Sequence, residues 1–477
     1  MPKQPVLSGL RNAVKKKMKK LQMRQEKFLA KTDEVVLWTR LLALIEPHYP
    51  KAGPKAGRPT LPLAVTRGIA VTGGLFALAV PSALHAQPKI DSLAGPDSTP
   101  ALLAEDDQER DTVLGVNLLP SLQSWSDLKA SIKNRTGLDF GLNYIALGYV
   151  ASQSPGEDTA ATGVFRLFGA WELFGRSSGN TGTLLFKVDN RQRLDTVPVK
   201  DFAGELGYAG IIGPTYSNQG WRLTHLYWNQ NFAGGRGAVY LGFIDVTDYV
   251  DAYALASPWQ GFANLAFQTG SGTMGGLPDA ALGVAAGYFL NDKLYMGGGI
   301  ADANADAADP FTDSLFDRGE TFKSFEVGWT SGSKARFFNN AHVTFWQIDA
   351  REQAGTPDGY GVSFSASQVV RERWFPFLRG GWADGGDALY EASVSAGFGY
   401  SQDPTSSIFG LGVNWSRPNE DTFGRKLDDQ LTVEAFMKWQ LTEGIELTPS
   451  MQYIHNPALN PEDDSIALFG LRFRAAL

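Results

Sequence analysis

The sequence predicts an all-β fold, a 16-stranded antiparallel transmembrane β-barrel of the outer-membrane type. Three observations carry this expectation. About sixteen segments between residues 138 and 477 alternate apolar and polar side chains with a period of two. The connections between them alternate short and long, as they must when one end of a barrel carries turns and the other carries loops. The composition also agrees: of 477 residues, 53 are Gly, 12% are aromatic and only 19% are charged. Cysteine is absent, which excludes disulfide scaffolds, zinc–thiolate sites and cysteine nucleophiles. The charge is divided. Residues 1–60 hold 14 Lys and Arg against 4 Asp and Glu, whereas residues 87–477 hold 28 against 46.

The basic residues 1–60 include Lys15-Lys16-Lys17 and Lys19-Lys20, and their apolar positions recur at helical spacing. This reads as a basic helical segment, and no nucleic-acid role is expected of it in the mature form. Phe28 to Trp38 and Leu44 to Gly53 resemble the N-terminal region of insertion-sequence transposases, without any of the catalytic carboxylates. The expectation is a fused fragment. Residues 61–86 read as a signal peptide. Arg67 precedes an uncharged run from Gly68 to Val80, and small residues follow before Gln87. A transmembrane helix fits worse, because thirteen apolar residues are too few and Gly73-Gly74 and Pro81 interrupt the stretch. A signal this far into a chain implies an insertion upstream or a true start near Leu61–Val65. Residues 87–137 read as an acidic periplasmic lead followed by a short amphipathic helix between Leu118 and Thr136.

From residue 138 the barrel begins. Leu431, Val433, Ala435, Met437, Trp439 and Leu441 share one face, and Thr432, Glu434, Phe436, Lys438 and Gln440 the other. Eleven alternating residues suit a strand that crosses a bilayer beside a wet interior. Glu443-Gly444 turns the chain into a second alternating run from Ile445 to Tyr453. Ser393, Ser395, Gly397 and Gly399 oppose Ala392, Val394, Ala396 and Phe398, and the last strand places Phe469, Leu471, Phe473, Ala475 and Leu477 opposite Arg472 and Arg474. Stretches 192–220, 246–279 and 303–321 are the long loops. Within the second, Gly261–Phe267 reads as an inward-folded piece. A soluble sandwich would alternate too, but its connections would not alternate short and long.

Several segments carry a family resemblance: Arg222 to Gln230, Ile244 to Asp251, Asn291 to Met296 with Asp302-Ala303-Asn304, Phe377 to Gly381, Asn414 to Pro418, and Asn456 to Pro461. From about 138 to 477 the chain closely resembles the carbohydrate-selective porins of the OprB family. That resemblance implies a 16-stranded pore in the outer membrane of a Gram-negative bacterium, passing glucose and related monosaccharides by diffusion. The implied partners are those sugars, outer-membrane lipid and, in some members, two further copies in a homotrimer. Phe243 and Val246 depart from the family pattern, so the constriction chemistry is expected to differ.

Sugar passage requires hydrogen-bonding side chains and aromatic faces in a wet lumen. The strongest candidates are Lys187, Asp189, Arg191 and Arg193, in the inward phase of the third strand. Arg166, Arg222, Glu434 and Lys438 follow, with Glu172 and Arg379 of the same type. Trp228 and Trp382 are candidate stacking platforms. Against these readings stand an ion-pair network on the wall for the charges and an interfacial girdle for the tryptophans. Asp302 to Asp313 mimics a calcium loop but has Ala307 where glycine is needed, so no metal or cofactor is expected. With His225, His342 and His455 the histidines left after signal removal, no catalytic signature emerges and no enzyme is expected. A general or anion-leaning porin, or a barrel plugged by the loop 246–279, are the alternatives.

Overall fold

The computed structural model describes residues 95–477 except 107–111, 116–121, 176–177, 279, 311–313, 333–335 and 404–406. The basic segment, its transposase-like stretch, the signal peptide and Asp313 lie outside the described residues. The chain divides after Val80, and the second unit, Pro81–Leu477, holds everything below.

Sixteen strands close into one antiparallel barrel in sequence order. They are β1 (Leu138–Ala151), β2 (Thr159–Phe174), β3 (Gly182–Arg193), β4 (Gly220–Phe232), β5 (Gly237–Ile244), β6 (Ala281–Phe289), β7 (Leu294–Asp302) and β8 (Thr321–Thr330). The second half comprises β9 (Asn340–Ile348), β10 (Gly359–Ser367), β11 (Trp374–Gly385), β12 (Tyr390–Asp403), β13 (Ser407–Pro418), β14 (Gln430–Thr442), β15 (Ile445–His455) and β16 (Ser465–Ala476). The seam runs β1 to β16, from Asn143 opposite Ala476 to Ala151 opposite Leu468. Leu477 and Leu142 close it with reciprocal backbone bonds of 2.8 and 3.2 Å.

Period two is obeyed on both walls. In β14 Thr432, Glu434, Phe436, Lys438 and Gln440 are buried toward the lumen, while the intervening Leu431, Val433 and Met437 are half-exposed outside. An outer belt of large apolar side chains, among them Leu241, Ile300, Phe325, Val343, Phe345 and Leu378, faces outward around the barrel. In a bilayer these groups meet hydrocarbon, and the closed hydrogen-bond ladder leaves no edge in lipid. No described helix is long and apolar enough to cross a membrane. Helix α1 (Thr99–Asp106) sits inside the barrel against β1, β2 and β3. Helix α2 (Leu122–Thr136) lies on the outer side at the start of β1, where Trp125 meets Phe140 edge-on and Lys133 pairs with Asp139 at 2.6 Å.

Two long loops turn inward. Loop 2 (194–219) packs Val199, Phe202, Leu206, Ile212 and Tyr216 on β1 and β16. Loop 3 (245–280) crosses the lumen, and Phe262 and Phe267 pack with Phe375, Phe377 and Phe436 on the far wall. The wall there is built from small residues. A Cβ on Gly412 would meet Phe267 at 2.7 Å, so the glycine makes the room that the loop's aromatic ring fills. Full burial of each ring stabilises the loop by about 1.5–3 kcal/mol. The predicted inward piece 261–267 is this part of loop 3.

Polar anchors fix the same loop. Asp251 accepts bonds from His342 Nε2 at 2.7 Å, Arg379 Nη2 at 2.6 Å and Gly270 N at 2.6 Å, while its own N–H donates to Glu326 at 2.8 Å. Its φ of 50° lies in the left-handed region, which Asp tolerates because its short carboxylate bonds locally. Glu434 accepts Ala263 N at 2.8 Å and Asn264 N at 3.0 Å. Arg472 donates to the carbonyls of Pro258 and Gly261 at 2.8 and 3.0 Å.

Candidate functional site

Loop 3, pinned to the β8–β16 side, brings its Pro258–Gly261 turn against the β2–β3 wall. Register sets the wall. Arg166 lies opposite Asp189, Phe168 opposite Lys187 and Val164 opposite Arg191. Asp189 also lies opposite Arg222 of β4. Directly opposed residues share a face, so β2 and β3 present Arg166, Asp189, Arg191 and Lys187 to the lumen together. Arg191 Nη2 donates to Asp189 at 2.9 Å, and Arg166 Nε stands 3.8 Å from the same carboxylate. The Trp259 ring of loop 3 stacks against this wall, 4.4 Å from the Arg166 guanidinium carbon and 6.0 Å from that of Arg191. Tyr216 packs on Trp259 at 5.1 Å and donates to Pro258 O at 3.2 Å.

Arg166 is the unusual member. It is 1% exposed, yet among the described residues none of its three guanidinium nitrogens has a hydrogen-bond partner. A buried charged group short of hydrogen bonds is costly; the Asp189 carboxylate and the Trp259 face offset part of that cost, and its remaining N–H groups can donate to hydroxyls of a passing solute. Beside it, Lys187 Nζ lies 3.8 Å from Asp248 and donates to Asp97 O at 3.3 Å. Asp97 accepts the Ser257 hydroxyl at 2.5 Å, and burial pushes its carboxyl up to about 6. A cavity of about 130 Å³ opens below, lined among others by Pro96, Ala101, Glu105, Ser257, Phe338 and Lys438.

The other sequence candidates fall elsewhere. Glu434, Lys438 and Arg379 hold loop 3: Glu434 and Arg379 as above, Lys438 through Gln260 Oε1 at 2.9 Å. Arg222 faces the lumen beside Asp189 and donates to Gln219. Arg193 keeps the inward phase but lies exposed at the base of loop 2, donating to Thr196 O at 3.1 Å. Glu172 is half-buried near the periplasmic end of β2. Trp228 is a correction: it faces outward, packed on Phe174 at 5.4 Å. The cause is a β-bulge. Lys187 pairs with His225 and Val188 with Leu223, so Thr224 is an extra residue and the phase of β4 flips after it. Trp382 is likewise outside, edge-on to Tyr360 at 5.8 Å. Trp259, Asp97, Asp251 and Tyr216 were not anticipated.

Among the described residues, His225, Asp245 and Asp248 bring potential ligand atoms within 4.8 Å of one another. Their internal partners account for them. His225 Nε2 sits 2.7 Å from Asp248, Asp245 caps Thr247 N at 3.0 Å, and the Lys187 ammonium stands beside Asp248. In Asp302–Asn304, Asp302 accepts Asn304 N at 2.9 Å and the Ser314 hydroxyl, which is the closed pattern of a loop turn.

Residues 140–477 match the profile of the carbohydrate-selective porin, OprB family. The chain belongs to that family. The porin's fold is that of Pseudomonas putida OprB in its high-pH structure, with TM-score 0.62 and 14% identity over 77% of this chain and 99% of that one. The low-pH structure of the same protein gives TM-score 0.45 and 12% identity over 78% and 100%. A mutant Rh. blastica porin gives 0.43 and 14% over 71% and 99%. No curated protein matches the chain. Family and fold together make this OprB-type porin a passive outer-membrane channel of a Gram-negative bacterium for carbohydrate diffusion.

Proposed function

We propose that monosaccharides of the glucose type cross this porin by stepping past Arg166, Asp189 and Arg191 with one face on Trp259. The observation that carries this reading is the Arg166 guanidinium, buried, without a hydrogen-bond partner among the described residues, and over the Trp259 ring. A sugar offers hydroxyls that replace water on Arg and Asp, and an apolar C–H face that suits an indole. The outward apolar belt takes outer-membrane lipid as its partner. A homotrimer is an expectation that light scattering of the purified porin in detergent reads directly.

The test is single-channel recording of refolded 87–477 in planar bilayers with glucose added. Conductance falling in steps as sugar occupies the pore is expected, with block weakened at least tenfold in Arg166→Ala and Trp259→Ala. Block by glucose unchanged in both variants would overturn this pathway. The second reading, an anion-leaning general porin, draws on the same cationic wall. It predicts conductance indifferent to glucose with strong preference for anions.

A further inference from the structure

Residues 95–106 lie inside the barrel. Their position follows from contacts along the whole segment. Gly95 N donates to Asp248 O, Thr99 Oγ1 lies 2.9 Å from His225 Nδ1, and Leu102 and Leu103 bury against Phe168. At the far end Asp106 lies 3.3 Å and Glu105 3.9 Å from Arg474, whose Nη1 also donates to Glu446 at 2.8 Å. Gln260 of loop 3 donates to Glu105. Phe168 and Lys187 are the lumen-facing pair next to Arg166 and Asp189 along the strands. The segment therefore lies along the β1–β3 wall, beside the Arg166–Asp189–Arg191 cluster.

Its chemistry complements the wall it covers. Asp97 faces Arg166 and Lys187, and Glu105 and Asp106 face Arg474. Without those three carboxylates, Arg166, Lys187, Arg191 and Arg474 would keep Asp189, Asp248 and Glu446 as counterions. A path balanced by the segment's own acids becomes one that favours negative charge. The helix is eight residues long, too short to persist alone in water. It depends on the lumen contacts and is lost as a unit when they break.

We infer that residues 95–106 form an intraluminal plug whose carboxylates stand in the place of an anionic solute, and that the solutes able to take that place are acidic monosaccharides such as hexuronates. This rests on the proposed pathway past Arg166. A hexuronate combines the carboxylate that the plug supplies to the cations with the sugar face that Trp259 accepts. A small carboxylate lacks the second part.

The experiment compares 87–477 with a variant lacking 87–106 and with a full-length mature variant carrying Asp97→Asn, Glu105→Gln and Asp106→Asn. Heat-modifiable migration on gels reports the fold of each. Single-channel conductance, reversal potential in a KCl gradient, and block by galacturonate, glucose and acetate are the readouts. The deletion should raise conductance severalfold, shift the reversal potential toward anions, and make galacturonate block at least tenfold more effective than glucose, with acetate inert. The triple variant, which loses the segment's three negative charges but keeps the chain, should shift the reversal potential toward anions. Should the deletion fail to fold, the triple variant decides alone. A folded deletion, or a lone triple variant, with wild-type conductance and selectivity overturns the plug. Equal block by acetate and galacturonate overturns the substrate class. A deletion that opens and turns anion-selective but shows no block by either sugar upholds the plug and overturns the Arg166 pathway instead.

Discussion

Replacing Asp251 by alanine should detach loop 3 while leaving the barrel standing. The side chain is 1% exposed and accepts three hydrogen bonds, two of them from His342 and Arg379. Bonds to charged groups contribute about 1.5–3 kcal/mol each, but they are not additive here, because the same alanine also leaves the Arg379 guanidinium buried. Breaking a buried pair from one side costs about 3–5 kcal/mol. At about 1.4 kcal/mol per tenfold, the released fraction of loop 3 rises between about a hundredfold and a few thousandfold. The barrel ladder contains none of these bonds, so heat-modifiability on gels should persist. Single-channel recording should then show larger, noisier steps, and chymotrypsin should cut the porin within 245–280, where Tyr249, Tyr253 and Phe262 offer cleavage sites. Asp251→Asn tolerates the same left-handed backbone and keeps part of the bonding, so it should fall between the two. Wild-type conductance together with wild-type resistance to chymotrypsin in Asp251→Ala would refute the assignment of this residue as the loop's anchor.

Three further outcomes follow from the same contacts. Gly412→Val places a side chain where Phe267 and Phe262 sit, an overpacking cost of about 1–3 kcal/mol; the barrel should fold and its conductance should rise. Trp228→Ala should leave glucose block within threefold of wild type in the bilayer assay, since that ring packs on Phe174 outside the lumen. Asp97, with Ser257, Arg166, Lys187 and Asp248 around it, has its carboxyl raised from 3.8 to about 6 by burial. A raised acid favours the buried state below its ordinary value and loses that contribution as pH rises through the raised one. The open probability of 87–477 should therefore increase between pH 4 and pH 7, and Asp97→Asn should flatten that dependence.

The barrel was legible because lipid on one side and water on the other impose period two on every strand. Thr432, Glu434 and Lys438 could be assigned to one wall of β14 from spacing alone. The wall cluster Arg166–Asp189–Arg191 was legible for the same reason, since phase places them inward. Trp228 was misread because one inserted residue, Thr224, reverses that phase without altering the local composition. Trp259 and Asp251 gave no signal, because a loop that crosses a lumen is held by scattered contacts to distant strands and has no period. Glu434 and Arg379 were found as lumen residues, but their task of gripping loop 3 depends on partners more than a hundred positions away.

The β1–β16 seam bears on how the molecule is made. During assembly β1 must wait for β16 before its outer edge is paired, because residue 477 itself bonds back to residue 142. Until β16 pairs with it, β1 is an open template for pairing with other chains. A message truncated by even one strand yields a sheet with two free edges and no cylinder. Loop 3 and residues 95–106 must also reach the interior before or while the cylinder seals. The seam thus couples the completeness of the chain to the existence of a channel.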